Sequence, residues 1–332
     1  MLCCTHPAAA GGVRLHGAAL FRIPSRARST LFPSGDGTAQ GVARARHVET
    51  IYPISSTQKR LFEDPYAKYF YKGSAVTGFL FQYAVTHRVI SRLCNNLTVG
   101  IQFGTAGRTA EFHYQVRAAV ENGCKQFVIL GAGYDTRGLR LNLPTDVNTF
   151  EIDQPKVQEQ KQAKLSSIPG LIVPSSLHFL AVDFNTEDIT KLASHPSYDP
   201  DAPTVFTLEG VSPYIPKDAT ASTLATAAAL SGPGSRFIIS YLSQNIWDAP
   251  EKCADTSEIR SLLWAAENIA GEPFISAWHP AELAALMQTH GFAVARDVSL
   301  PELNQDYFVP AGRPVPELQR VSIERLATAV IE

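Results

Sequence analysis

The chain has 332 residues, of which 45% are hydrophobic and 18% are charged, and its formal net charge is −2. This balance is typical of a folded globular protein and not of a disordered chain. The length is sufficient for one large domain with its own core. A net charge so close to zero gives no reason to expect a nucleic-acid partner, which would need a basic face. No apolar run approaches about 20 residues, so we expect no membrane-spanning segment and no membrane partner.

The cysteines give no sign of a structural cross-link. Five are scattered along the chain, at Cys3, Cys4, Cys94, Cys124 and Cys253. Their number is odd and no pair has C-x-x-C spacing, so we predict neither a disulfide framework nor a zinc site. Cys94 and Cys124 lie in apolar stretches with a helical pattern and are predicted to be buried, inert thiols. No cluster of histidines and acids indicates another metal, and we expect none.

Residues 1–46 differ from the rest of the chain in charge. They hold six arginines, no lysine and one acid, which gives a net charge of +5. An arginine-rich, acid-poor segment with serines and small residues resembles an organellar transit peptide. The alternative is an N-terminal extension without fixed structure. We expect the folded domain to run from His47 to Glu332, in the cytoplasm, or in a mitochondrion or plastid if the leader is a targeting signal.

Helical patterns dominate the first part of this domain, residues 47–122. Thr57–Arg92 is predicted to form helices that are broken at Asp64–Pro65, at Gly73 and at Gly78. Arg108–Asn122 is predicted as a further helix, because its apolar residues recur at helical spacing on one face.

Short apolar runs then alternate with helical patterns. Six runs are predicted as strands: Gln126–Leu130, Val147–Ile152, Leu177–Val182, Thr204–Leu208, Arg236–Tyr241 and Phe292–Val298. The helices predicted between them include Pro155–Ser166, Asp218–Leu230 and Pro280–His290. This alternation predicts a doubly wound, mostly parallel sheet of the Rossmann-like α/β class. Residues Ser243–Ala277 fit no simple crossover and are predicted to form a lid inserted over the site.

A glycine-rich turn, Gly131–Arg137 (GAGYDTR), directly follows the first predicted strand. Glycines at a strand-to-helix turn let the backbone approach a ligand closely and leave N–H groups facing it. The third glycine of the dinucleotide-binding pattern is absent, because Thr136 stands in its place. A smaller nucleoside ligand is therefore favoured over a pyrophosphate, and a nicotinamide dehydrogenase is disfavoured.

Acids stand at the ends of three successive predicted strands. Asp153 ends the second strand about twenty residues after the glycines, where a carboxylate can accept hydrogen bonds from ribose hydroxyls. The alternative role of Asp153 is to cap the helix that begins at Pro155. Asp183 closes the third strand and Glu209 the fourth. Since ligands bind outside the carboxyl ends of parallel strands, we expect the three acids to converge on one crevice.

At these residues the sequence resembles a known family. The matching segments are Phe127–Arg137 (FVILGAGYDTR), Phe150–Pro155 (FEIDQP), Val182–Asn185 (VDFN) and Thr207–Pro216 (TLEGVSPYIP). They are similar to motifs of the leucine carboxyl methyltransferase family, especially of its branch of S-adenosylmethionine-dependent methyltransferases common in actinobacteria. The wider family contains protein phosphatase carboxyl methyltransferases and polyketide O-methyltransferases. The resemblance covers residues 47 to 332 and implies the class I methyltransferase fold.

The resemblance also implies S-adenosyl-L-methionine as cofactor and gives residues a role in binding it. Gly131 and Gly133 would line the methionine part, and Asp153 would hold the ribose. Glu209 would lie beneath the methionine amino group. Arg108 matches a family arginine that pairs with the cofactor carboxylate.

Two further residues are assigned by resemblance to the adenine. Asp183 would face its exocyclic amine, and Phe184 would stack on its ring. One departure concerns the segment after Arg108, where the family has an aromatic residue followed by aspartate and this chain has Phe112-His113. That departure bears on the local detail and not on the fold.

The acceptor of the methyl group is less constrained by the sequence. A carboxylate needs no general base, whereas a hydroxyl would require one, with His87, His113 and His279 as candidates that are more typical of surface or packed histidines. We assign no catalytic residue and place Tyr214 in the substrate pocket. We expect O-methylation of a small metabolite. The alternatives are a protein C-terminal carboxylate as acceptor, or a nucleoside-binding protein without transfer activity.

Overall fold

A computed structural model of the chain describes residues 37–52, 55–81, 83, 101–183, 187, 189–254, 256–267, 271–317 and 321–331. The predicted leader up to residue 36 lies outside the described residues. So do Cys3, Cys4, His87, Cys94 and Phe184.

Seven strands form one sheet. They are β1 (Gln126–Leu130), β2 (Asn148–Asp153), β3 (Leu177–Ala181), β4 (Thr204–Leu208), β5 (Arg236–Leu242), β6 (Phe292–Ser299) and β7 (Glu324–Ile331). Their order across the sheet is β3-β2-β1-β4-β5-β7-β6. Strands β1 to β5 pair in parallel, and β7 pairs antiparallel with both β5 and β6. The predicted doubly wound, mostly parallel α/β sheet is confirmed, and β7 is a strand that the sequence pattern did not reveal.

Helices cover both faces of this sheet. They are α1 (Gly37–Thr50), α2 (Ser74–Phe81), α3 (Ile101–Glu121), α4 (Arg137–Arg140), α5 (Pro155–Ser166), α6 (Lys217–Ala229), α7 (Asn245–Asp248), α8 (Thr256–Ala265), α9 (Pro280–Thr289) and α10 (Leu300–Leu303). Alternate residues of β1 show how the layers form. Val128 and Leu130 pack in one core with residues of α6 and α9, whereas Phe127 and Ile129 pack in a second core with residues of α3. A strand buried on both faces needs apolar residues throughout, which is why QFVIL could be recognised.

The N-terminal helices differ from the prediction in two places. Helix α3 begins at Ile101 rather than at Arg108. Within it, a Cβ at Gly107 would lie 3.2 Å from the ring of Phe308, so this glycine allows close packing and does not end the helix. Gly78 lies inside α2 and does not break it, which corrects the predicted interruption.

The expected domain boundary at His47 is wrong, because α1 runs from Gly37 to Thr50 through that position. Two buried ion pairs fix this helix to the domain. Arg46 Nε donates to Asp64 Oδ2 at 2.8 Å, and Arg313 forms a two-pronged pair with Glu49 at 2.7 and 2.8 Å. Arg46, which the sequence pattern assigned to the leader, therefore lies in a helix that is part of the folded domain.

None of the described helices combines the length and apolar character that crossing a lipid bilayer requires.

Candidate functional site

A cavity of about 920 Å³ lies at the carboxyl ends of β1, β2 and β4. The sheet side is lined by Gly131–Asp135, Asp153 and Glu209. Helix α1 supplies part of the remaining wall, and Glu272–Ile275 and Glu324 supply more of it. Residues of the predicted lid segment thus face the strand ends where the sequence placed the ligand.

The turn after β1 admits only glycine at its first position. Gly131 has a φ of +64°, and a Cβ there would lie 2.4 Å from Cγ2 of Val211. Both the left-handed backbone and the close approach exclude a side chain. The neighbouring Ala132 N–H donates to the carbonyl of Ile152 at 3.0 Å, which fixes the turn to the end of β2.

Asp153 lies at the edge of the cavity and is fixed to the glycine turn. Its Oδ2 accepts from the Gly133 N–H at 2.6 Å, and its Oδ1 accepts from the Gln154 N–H at 2.7 Å. Burial raises the pKa of Asp153, and these two hydrogen bonds oppose the shift. The N-cap position of α5 is occupied by Gln154 and has no side-chain cap. The geometry therefore does not match the alternative in which Asp153 caps this helix.

The other acid of β2, Glu151, faces a different environment. It is fully buried and forms an ion pair with Lys161 of α5. Burial raises the pKa of Glu151 to about 7, although Lys161 acts in the opposite direction. The pair fastens α5 against the sheet behind Asp153.

Glu209 is held between two arginines at the end of β4. Its Oε1 lies 2.9 Å from Arg108 Nε, and its Oε2 lies 2.6 Å from Arg137 Nη2. Burial alone would raise the pKa of Glu209, but Arg137 and Arg108 hold it below the ordinary value. Glu209 is therefore ionised near neutral pH.

Each arginine has a second acidic partner. Arg108 Nη1 lies 2.6 Å from Glu324 Oε1, and Arg137 also pairs with Asp135. Arg137 is 2% exposed and lines the cavity, and its Nη1 has no hydrogen-bond partner in the described part of the chain. A buried donor without a partner is costly, so this atom favours a ligand with an acceptor oxygen.

Three of these charged residues were missed by the sequence reasoning. Asp135 and Arg137 lie within the glycine-rich turn GAGYDTR, which follows an apolar strand. The sequence signal that could have identified them is an acid and an arginine two positions apart in this turn. Glu324 had no local signal, because it lies on β7 and reaches Arg108 across 216 positions of sequence.

Tyr214 lines the cavity from a short 3₁₀ turn after β4. Its ring lies 5.5 Å from the ring of Phe274 in the lid segment. Burial, with a smaller contribution from Glu272, raises the pKa of Tyr214 to about 12. The hydroxyl of Tyr214 is therefore neutral near pH 7.

The structure does not bring all the predicted residues together. Asp183 lies two residues beyond the end of β3 and is not part of the cavity lining, and Phe184 lies outside the described residues. The prediction that this pair contacts an adenine stays a prediction.

The two described histidine candidates lie away from the cavity lining. His113 is half-buried beside Arg140, and its pKa lies far below the ordinary value because of partial burial and the nearby arginines. His279 is at the N-cap of α9 and pairs with Asp248 at 3.2 Å.

Among the described residues no group of three or more histidines, cysteines or acids is arranged to hold a metal ion.

Comparison with known proteins places these features in a family. The sequence model of the leucine carboxyl methyltransferase family matches residues 39–228. A "putative S-adenosyl-L-methionine-dependent methyltransferase" of Mycobacterium marinum is 34% identical over 212 residues, which are 64% of this chain and 65% of that protein. A protein of the same name from Saccharopolyspora erythraea is 40% identical over 121 residues, 36% of this chain and 42% of that one. The matched region thus spans less than two thirds of these relatives.

Solved structures agree in fold at low sequence identity. The crystal structure of a "putative methyltransferase" from Thermobifida fusca has a TM-score of 0.52 at 15% identity and covers 86% of this chain and 97% of its own. A DUF574 family protein from Streptomyces avermitilis has a TM-score of 0.53 at 16% identity, with 87% and 97% covered. The predicted class I methyltransferase fold is confirmed by this likeness, which concerns the fold alone.

Proposed function

This chain belongs to the leucine carboxyl methyltransferase family, and we propose that it transfers a methyl group from S-adenosylmethionine to an oxygen atom of a small metabolite. The observation that best supports this proposal is the arrangement of charged side chains at the edge of the cavity. There the carboxylate of Asp153 is fixed by the N–H of Gly133, beside the charged group of Glu209, Arg108 and Arg137.

The residues present fit the chemical parts of this cofactor. Asp153 is placed to accept from ribose hydroxyls, as an acid at the end of β2 does in nucleoside-binding α/β folds. Glu209 would bind the ammonium of the methionine part. Arg108 and the unpartnered Nη1 of Arg137 would bind its carboxylate. When bound, S-adenosylmethionine supplies a methyl group on a positively charged sulfur.

The contribution of the protein would be mainly positional. Methyl transfer is an in-line displacement, and holding the two reactants in register lowers its barrier most. Helix α1 and the lid segment would exclude water from the cavity. The neutral hydroxyl of Tyr214 would donate a hydrogen bond to the acceptor.

A small acceptor is supported by the size and character of the cavity. Its volume of about 920 Å³ falls within the usual range for small-molecule sites and leaves room beside a cofactor. Tyr214, Phe274 and Ile275 give one wall an aromatic and aliphatic surface. A protein C-terminus as acceptor is the alternative within the same reaction class. A nucleoside-binding protein without transfer activity is the alternative of another class, and it would leave no label on any acceptor when labelled S-adenosylmethionine is supplied.

We expect the purified chain to bind S-adenosylmethionine and its demethylated product, S-adenosylhomocysteine, in preference to NAD. The reason is the turn at Gly131–Arg137, which lacks the third glycine for a pyrophosphate and adjoins charges suited to an amino acid. Titration calorimetry with the three ligands is the measurement. Binding of NAD without binding of S-adenosylmethionine would contradict the proposed function.

Asp153→Ala is expected to weaken binding of S-adenosylhomocysteine by about 1–3 kcal/mol, because the ribose hydroxyls lose a charged acceptor. Asp146→Ala is the matched control, since Asp146 is exposed near the opposite end of β2 and pairs only with Lys125 among the described side chains. Circular dichroism establishes that both variants are folded. Unchanged affinity in a folded Asp153→Ala variant would show that the carboxylate only organises the turn.

A further inference from the structure

The glycine-rich turn is bonded to Asp64, an acid that lies far from it along the chain. The Thr136 hydroxyl donates to Asp64 Oδ2 at 2.7 Å, across 72 positions of sequence. Both residues are fully buried, and neither is part of the cavity lining. Asp64 is therefore attached to the turn without being exposed to a ligand in the cavity.

Asp64 is linked to the same turn by a second route, through Arg46 of α1. Its Oδ2 also accepts from Arg46 Nε at 2.8 Å, and Arg46 Nη2 donates to the carbonyl of Tyr134. The two links thus end on Tyr134 and on Thr136, two residues apart in the turn. A turn that is fixed at two points has less freedom to shift than one that is fixed at a single point.

The carboxylate of Asp64 is itself firmly held. Its Oδ1 accepts from the backbone N–H groups of Tyr66 and Ala67 at 3.2 and 3.0 Å. Burial alone would raise the pKa of Asp64, but Arg46 and Arg140 hold it below the ordinary value. Asp64 is therefore an ionised acceptor near neutral pH, and hydrogen bonds to a charged acceptor are the strong ones.

The hydroxyl of Thr136 is used for this link and not for its own helix. Thr136 is the N-cap residue of α4, where a threonine side chain ordinarily accepts from a backbone N–H of the first turn. It makes no such bond here. Instead it accepts from Arg140 Nε at 2.8 Å and donates to Asp64. The third glycine of the dinucleotide-binding pattern, which Thr136 replaces, could not make this link.

The turn carries two contacts that form the edge of the cavity. The Gly133 N–H donates to Asp153 Oδ2 at 2.6 Å, and Arg137 Nη2 lies 2.6 Å from Glu209 Oε2. The two residues of the turn that are linked to Asp64 are the chain neighbours of Gly133 and Arg137. A shift at either link would therefore move one of the two contacts.

We propose that Asp64 is a positioning residue for cofactor binding, which holds the glycine-rich turn in its binding conformation through Thr136 and Arg46. A site that is fixed before the ligand arrives loses less conformational freedom on binding, and its affinity is higher for that reason. Asp64 thus strengthens binding without touching the cofactor. This role rests on the proposed function, since it presupposes that the cavity binds S-adenosylmethionine.

A matched pair of variants separates this role from a general loss of stability. Thr136→Val removes the hydroxyl and keeps the size of the side chain. Thr204→Val is the control, because Thr204 is equally buried at the end of β4 opposite the cavity. Its hydroxyl also has two partners, since it accepts from Gln126 Nε2 at 2.8 Å and donates to the Ala202 carbonyl at 3.0 Å.

We expect Thr136→Val to weaken binding of S-adenosylhomocysteine about tenfold, because a charged acceptor loses its donor and the turn loses one link. Thr204→Val is expected to change the affinity by less than about twofold, although urea denaturation should show that both variants lose stability. Titration calorimetry on the folded proteins is the measurement. Equal losses of affinity in the two variants would overturn the proposal.

A conservative change and a double mutant test whether the link itself is responsible. Thr136→Ser keeps the hydroxyl and is expected to bind within about threefold of the wild type, so a serine variant as weak as Thr136→Val would also overturn the proposal. Asp64→Asn is expected to bind at least as weakly as Thr136→Val. Adding Thr136→Val to it should cost little more, since both changes break the same link. If Asp64→Asn does not fold, the two Thr136 variants decide.

Hydrogen exchange in the ligand-free protein tests the hold on the turn independently of any cofactor. We expect Thr136→Val to speed the exchange of amides in residues 131–137, followed by mass spectrometry, and Thr204→Val to leave it unchanged. Unchanged exchange in a folded Thr136→Val protein would contradict the role of Asp64 alone. Failure of the wild-type protein to bind S-adenosylhomocysteine would instead contradict the proposed function.

Discussion

Replacing Gly131 with alanine is expected to abolish measurable cofactor binding and to destabilise the fold by about 2–4 kcal/mol. The backbone at this position is left-handed, with a φ of +64°, which costs any side chain conformational energy. The added Cβ would also lie 2.4 Å from Val211 Cγ2, so the turn or the loop after β4 must shift. Both segments line the cavity, and a shift in either one separates Asp153 from Glu209.

The two contributions are separable by a double mutant. Gly170→Ala carries the backbone cost alone, since Gly170 has a φ of +73° and nothing within 4 Å of the built Cβ. Val211→Ala removes the clashing methyl group. We expect the Gly131→Ala/Val211→Ala pair to recover stability by about 1 kcal/mol or more beyond additivity, measured by urea denaturation. Strict additivity would show that the clash is relieved elsewhere and that Val211 does not confine the turn.

Arg137→Met is expected to lower the free energy of unfolding by about 3–5 kcal/mol, because it leaves buried carboxylates without their counter-charge. Arg137 is among the largest fully buried side chains and lies between Asp135 and Glu209. Arg60→Met is the control. Arg60 forms an exposed pair with Glu63, and such surface pairs contribute about 0–1 kcal/mol.

The effect of Arg137→Met should depend on pH with a definite sign. Asp135 and Glu209 have lowered pKa values in the native protein, Asp135 because Arg137 outweighs its burial and Glu209 because Arg137 and Arg108 do. Their contribution to stability is present above the unfolded pKa and is lost as the pH falls through the acid range. The gap between wild type and variant should therefore be largest near neutral pH and shrink on acidification. A gap that is constant with pH would mean that the loss is one of packing and not of charge.

Strands β1 and β4 in the parallel half of the sheet were predictable because they are buried on both faces. QFVIL and TVFTL have no polar alternation, and each is followed by a glycine-containing turn, which is the local signature of a strand in a doubly wound fold. Strand β7 could not be predicted in this way. An antiparallel strand needs no crossover helix before it, and its sequence ERLATAVI has only a short apolar stretch. Helix α1 was missed for a different reason. Its arginines are typical of a targeting leader, and the sequence does not show that one of them, Arg46, forms a buried ion pair with Asp64.

The same division holds for the candidate site. Gly131, Gly133, Asp153 and Glu209 could be predicted to lie at this cavity because each stands where a strand ends, which is a local property of the sequence. The second acid on Arg108 was not found, since no local pattern relates Glu324 to a helix 216 residues earlier. Nor could sequence show that Phe274 of the lid segment packs against Tyr214, because lid segments follow no regular topology.

The position of β7 also governs the order in which the molecule can assemble. In the part of the chain that the structure describes, strand β6 is joined to the rest of the sheet only through β7, although β6 precedes β7 along the chain. Until β7 inserts, β5 presents an open hydrogen-bonding edge with Phe237, Ile239 and Tyr241 on a hydrophobic strand. Such edges invite pairing between chains, and pairings distant in sequence form slowly. Refolding yield should consequently fall with protein concentration, since the last strand to enter must compete with a neighbouring molecule for the same edge.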